Sequence, residues 1–283
     1  MLTIAASILH ASQQLAIYLY SLIFILGLIG NAHLIFMFTL LKTFRKNQST
    51  FYLLTTAIND CSLLILALPF RLGELAFGHD FTRMSVIWCK LRPMINHTLA
   101  LISFSAICFA AIDQYLSTNH RPWLKRLSTL KLAHRLVYTS IVVWIIYDGI
   151  FLIFFDLQSS TGCTIYNVQF SRYYSFFHYI TLNGIIPIWI SSMFSLLAYW
   201  NVRRIVQLRL AIVRRRLDKQ LTAMILVKVA FLIVTILPSI IFRIYILNVN
   251  VNSTDYLRLA IHQLISNIAF ALFYVNTAVC HRN

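Results

Sequence analysis

Hydrophobic positions run along this chain in seven long blocks, at about 15–41, 49–75, 88–118, 133–155, 175–203, 219–247 and 256–280. Each satisfies the roughly 20 mostly apolar residues that a helix needs to cross a bilayer's hydrocarbon core. Short basic or polar stretches separate them. The pattern predicts an all-α membrane protein, a seven-transmembrane helix bundle forming one domain over residues 1–283. An odd number of crossings puts the termini on opposite sides. Lys42, Arg45 and Lys46 follow span one; Arg121, Lys125, Arg126, Lys131 and Arg135 follow span three; Arg203, Arg204, Arg209, Arg214, Arg215, Arg216 and Lys219 link spans five and six. Basic loops stay cytoplasmic, which places the N-terminus outside.

Composition agrees with the pattern. Of the 283 residues, 59% are hydrophobic and 11% charged, against about 45–50% and about 25% in soluble domains. The net charge of +16 would suit nucleic acid if it formed a stripe. It clusters between apolar blocks instead, and the aromatics that would stack bases sit inside the spans, so no nucleic-acid partner is expected. Met1–Gln14 lacks the basic start of a signal peptide. It reads as a short exposed head, too small to fold alone, so a ligand would bind in the bundle or its loops. Pro69, Pro187 and Pro238 fall within spans, where each is expected to kink its helix.

A set of landmarks in chain order resembles the rhodopsin-like (class A) G-protein-coupled receptors. Span one carries Gly30-Asn31 and span two Asn59-Asp60; span three opens with Cys89 and closes with Asp113-Gln114-Tyr115, Gln114 lying twenty-five residues beyond Cys89. Span four carries Trp144, span five Pro187 and span six Pro238. The resemblance implies a plasma-membrane receptor that is not an enzyme, of a peptide-type orphan kind with a truncated seventh helix. It would bind an extracellular ligand in the bundle and signal to a heterotrimeric G protein. Cys89 and Cys163 would then both meet an oxidising exterior, and a disulfide between them is expected.

An aspartate within a span costs roughly 2.5–3.5 kcal/mol unless solvated or paired. In the family the residue matching Asp60 is a sodium and proton site, and Ser103 and Asn276 resemble its other ligands, so sodium is the one metal expected. The alternative is a protonated carboxyl bonded to Asn31 and Asn276. Asp113-Gln114-Tyr115 stands where the family has Asp-Arg-Tyr, which contacts the G protein; glutamine has no charge and forms no ion pair. Its plainer reading is a polar helix end resting in the interface. Span six reads Thr235-Ile236-Leu237-Pro238, without the family's tryptophan, and span seven runs Asn276 to Asn283 with Cys280 and His281 where its last motif would begin. These departures favour a second reading, a non-coupling decoy or a fragment. Lys228 in span six is expected to snorkel toward the cytoplasmic side.

Asn96 lies about two helical turns below Cys89. Amine receptors resemble one another in an aspartate at that depth, so asparagine argues against an amine. His97, Asn183, Ser239, Arg243 and Tyr274 are expected to face the same cavity, with Arg71 and Arg243 making its mouth positive and suiting a carboxylate-bearing molecule or an acidic peptide. The sequon Asn96-His97-Thr98 lies within a helix and is discounted; Asn252-Ser253-Thr254 falls between spans six and seven. A transporter would show repeats or paired broken helices. An opsin would need a lysine in span seven, and residues 256–280 have none. No single span groups the residues of a metal site or catalytic constellation. The mechanism implied is a population shift in which span six swings outward about Pro238, opposed by any sodium at Asp60.

Overall fold

The computed structural model describes residues 2–41, 47–78, 85–158, 162–205, 212–248 and 255–278, with the backbone alone described for residues 204, 205 and 212–219. Lys42, Arg45, Lys46, the Asn252 sequon, Cys280 and His281 lie outside these residues. Among the described residues, seven helices are long and apolar enough to cross a membrane.

Span one is the helix Leu2–Leu40, span two Gln48–Phe77, span three Val86–Thr118 and span four Leu130–Asp148 with a further turn at Phe151–Phe154. Span five runs from Val168 to Ile205, span six is Ile212–Asn248 and span seven Tyr256–Ala278. Polar residues stop and start these helices. Asn47 accepts from the Ser49 N–H at 2.9 Å, Thr129 caps Leu132, and Asn167 caps Phe170 at 3.0 Å. Gly78 ends span two at φ +68°, a left-handed conformation open to glycine without a Cβ penalty.

The expected exposed head is not a separate segment: residues 2–14 continue the helix of span one. Polar side chains anchor it, since Asn267 of span seven donates to Ser12 at 3.1 Å and Gln13 donates to the Leu75 carbonyl. About two turns further in, the Tyr20 hydroxyl donates to the Asn267 carbonyl at 3.0 Å.

Span three is the most buried of the seven and runs through the bundle's centre. Its Phe104 and Ile107 join Tyr52, Leu63, Leu221, Leu232 and Ile240 in the main core. A second cluster, built on Tyr20, Leu64 and Leu68, seals spans one, two and seven. Large side chains such as Ile29, Ile65, Ile146, Trp189 and Val234 point outward and are exposed. A soluble protein would not present so much apolar surface; lipid covers it.

Span five departs from a plain helix. Residues Tyr174–Ile185 wind as a π-helix directly before Pro187. The Asn183 amide donates to the His178 carbonyl and Thr181 to that of Phe176, each five residues back. The wider winding places a distortion beside the expected Pro187 kink, and such segments are frequent at functional sites.

Two glycines allow close helix contact. A Cβ on Gly27 would fall 2.7 Å from Leu64 Cδ1 and 2.8 Å from the Ala278 Cβ, and one on Gly184 would collide with Ile240 Cδ1. Gly27→Val must push spans two and seven apart, at about 1–3 kcal/mol for overpacking. The expected outcome is a lower thermal unfolding midpoint in detergent micelles, with exposed Ile29→Val leaving the midpoint unchanged.

Candidate functional site

Polar side chains gather at three depths. At one end of the bundle, strands β1 (Phe155–Gln158) and β2 (Gly162–Ile165) pair antiparallel, with Leu157 opposite Cys163. The Cys89–Cys163 disulfide is formed and pins this hairpin to the start of span three. Beneath it lies a cavity of about 430 Å³.

Asn96, His97, Asn183, Ser239, Arg243 and Tyr274 all line this cavity. Some have intramolecular partners: Ser239 donates to the Ala269 carbonyl at 2.8 Å, and the Tyr174 hydroxyl meets His97 Nε2 at 2.9 Å. Three arginines line the cavity against one glutamate. Arg71 is held by Glu74 at 3.0 Å. Arg243 donates to Ser175 at 2.9 Å and lies over the Tyr179 ring, while its buried Nε has no partner among the described residues. Arg92 has no carboxylate partner among the described residues.

Behind His97 sits a group that sequence reasoning missed. Asp148, fully buried at the end of span four, accepts from Thr98 at 2.9 Å, and His178 Nδ1 lies 3.9 Å from its other oxygen. The His178 ring packs edge-on against His97 at 4.7 Å. The available signal was an acidic residue inside an apolar run, the same signal that singled out Asp60.

At mid-depth, Asp60 is bound differently from either expectation. Ser103 donates to Oδ1 at 2.7 Å, and Lys228 Nζ lies 3.1 Å from Oδ2. Lys228 therefore does not snorkel; it is buried and turned inward, because the aspartate across the bundle attracts its ammonium. Asn31 directs its amide to the carbonyls of Gly27 and Thr277, at 3.0 and 2.8 Å, rather than to Asp60. Asn276 is buried, and its Oδ1 has no hydrogen-bond partner among the described residues. On the opposite face of span three, Trp144 donates to Ser105 at 2.8 Å and Cys108 to the Pro187 carbonyl at 3.8 Å.

At the far end, Asp113 and Gln114 are buried instead of resting in the interface. Gln114 Nε2 donates to Ser49 at 2.8 Å, and Ser49 donates onward to Asp113 Oδ2 at 2.7 Å. Ser128 donates to Asp113 Oδ1 at 2.6 Å, and Thr222 of span six donates to Gln114 Oε1 at 3.0 Å. A neutral amide thus joins spans two, three and six. The Tyr115 ring packs 5.6 Å from that of Phe194.

Seven spans, a hairpin disulfide-bonded to span three, a cavity beneath it and a polar cluster at the opposite end define a seven-transmembrane helix bundle. No family model matches the chain. It is 32% identical over 143 residues to Probable G-protein coupled receptor 34 of Pan troglodytes, covering 50% of this chain and 36% of that protein. Over 126 residues it is 31% identical to C-C chemokine receptor type 1 of Homo sapiens, 44% of this chain and 34% of the receptor. It is 25% identical to Neuromedin-U receptor 2 of Mus musculus over 154 residues, 54% of this chain and 36% of that receptor. The matches thus span about a third of the length of these curated relatives, which are receptors and not enzymes. These partial similarities agree with the resemblance to rhodopsin-like G-protein-coupled receptors, and seven helices of the described residues are long and apolar enough to cross a membrane.

Replacing Gln114 by leucine removes the hydrogen bonds with Ser49 and Thr222, each worth about 0.5–1.5 kcal/mol. Gln114→Leu should lower the unfolding midpoint, Thr222→Val should lower it less, and the pair together should cost less than the sum. Additive losses would mean that the two residues do not interact.

Proposed function

We propose that this chain binds an extracellular ligand in the cavity beneath the Cys89–Cys163 hairpin and signals to a heterotrimeric G protein at the opposite, basic end. The observation that carries this is the cavity: about 430 Å³, within the range of small-molecule sites, lined by groups from several spans. The N-terminus and hairpin lie outside in this reading, as the basic loops require.

The ligand proposed is anionic, a carboxylate-bearing molecule or an acidic peptide. Arg92 and Arg243 supply cationic donors that Glu74, committed to Arg71, does not neutralise. A guanidinium binds a carboxylate through paired hydrogen bonds. Asn96 supplies no charge to hold an ammonium group, and binding of a simple biogenic amine that survives Asn96→Ala would contradict the proposal.

The proposed signalling surface comprises Asp113, Gln114 and Tyr115, with span six moving outward about Pro238. Gln114 favours one competing reading, a receptor that binds without coupling, because it lacks the family's arginine. Guanine-nucleotide exchange on a panel of G proteins separates the two. Basal or ligand-stimulated exchange by the chain as it stands supports coupling; exchange only after Gln114→Arg supports the decoy. For any carboxylate ligand found, Arg243→Gln should weaken binding roughly ten- to hundredfold, since a charge-assisted hydrogen bond contributes about 1.5–3 kcal/mol.

A further inference from the structure

We infer that Lys228 is the resident cation of the Asp60 site: its ammonium takes the place of a metal ion, and the site binds no sodium. The family resemblance implies a sodium ion at this aspartate, and the residues present do not fit one. Both carboxylate oxygens already have donors, Ser103 at 2.7 Å and Lys228 at 3.1 Å. Asn31 turns its amide to backbone carbonyls of spans one and seven.

Charge decides the matter. A lone carboxylate buried among helices attracts any small cation, whereas a carboxylate touching an ammonium is neutral as a pair. A sodium ion entering beside Nζ would meet like charge at close range, with little solvent to screen it. Lys228 is delivered by its own helix at no cost in translational freedom, so it acts as a cation at very high effective concentration.

The remaining ammonium protons also have room for a partner. A cavity of about 20 Å³, otherwise walled by apolar side chains such as Phe38 and Leu53, has Lys228, Asn31 and Thr56 as its polar lining. That is enough for one water, which needs about 10–15 Å³ and polar walls. The buried Asn31 Oδ1, without a protein partner, is an acceptor for such a water.

The pair also ties span six to spans two and three, about ten residues, or roughly 15 Å, from Pro238 toward the basic end. In the receptor reading it holds the resting state where the family relies on a mobile ion. The assignment of the cation itself does not depend on ligand or coupling.

The test is thermal unfolding of the full chain in detergent micelles, with sodium chloride exchanged for choline chloride at constant ionic strength. The unaltered chain should show the same midpoint in both salts. Lys228→Met, which leaves Asp60 without its cation, should acquire a midpoint that rises with sodium concentration, as linkage to a bound ion requires. Adding Asp60→Asn should abolish that rise and restore part of the lost stability. A sodium-dependent midpoint in the unaltered chain overturns the inference, as does a folded Lys228→Met that ignores sodium. If Lys228→Met does not fold, Lys228→Arg and the unaltered chain decide it: both indifferent to sodium supports the inference, and stabilisation of either by sodium overturns it.

Discussion

Inside a bilayer there is no water to satisfy a polar group, so a buried donor or acceptor is costly unless it finds a partner within the protein. Three aspartates in this bundle show how that constraint works. Asp60, Asp113 and Asp148 are all buried, and each accepts a hydrogen bond from a hydroxyl outside its own helix: Ser103, Ser49 with Ser128, and Thr98. Hydroxyls suit this task because they are small, rotate freely and carry no charge that would itself need a partner. Each bond selects a helix rotation and depth, and apolar packing then fills around it.

All three bonds involve span three, which supplies Thr98, Ser103 and Asp113 at successive depths. The same helix holds Cys89 at one end and Gln114 at the other. Span three is thus the post against which the others are registered, consistent with its burial. Only Asp60 has a lysine or arginine partner among the described residues. Its environment differs from those of the other two in having span six close by, with Lys228 at the right height to meet it.

The seven spans were legible because hydropathy is a local property: a block of apolar residues is visible without knowing its neighbours. Asp60 stood out for a similar reason, as an ionisable residue inside an apolar block, whereas Cys89 and Cys163 stood out through the family resemblance. Partnerships were not legible. Lys228 could snorkel or turn inward, and the choice rests on an aspartate 168 positions away and on the rotation of two helices, neither of which a linear pattern contains. The π-helix of span five was hidden too, since Pro187 announces a distortion without saying how far it extends. Residues 2–14 looked like a free head because Ser12 and Gln13 are polar. The same polarity bonds them to spans seven and two.

Span six shows what these bonds mean for motion. Above Pro238 it is held by Ser239 to span seven and by Arg243 to span five. Below Pro238 it is held by Lys228 to span two and by Thr222 to span three. Swinging the lower half outward breaks the second pair of bonds and can leave the first intact, so Pro238 separates an anchored segment from a releasable one. The upper contacts border the cavity and the lower ones do not. In the proposed receptor reading, a ligand in the cavity would touch none of the bonds that such a swing breaks. It can favour opening only by binding the open arrangement more tightly than the closed one, with Arg243 and Ser239 the span-six residues placed to sense the difference. Gln114 makes the lower end easier to release than an ion pair would, whereas the Asp60–Lys228 pair makes it harder. On the proposed reading, the ion pair at mid-depth would hold the closed arrangement more firmly than the neutral amide at the end proposed to meet a G protein.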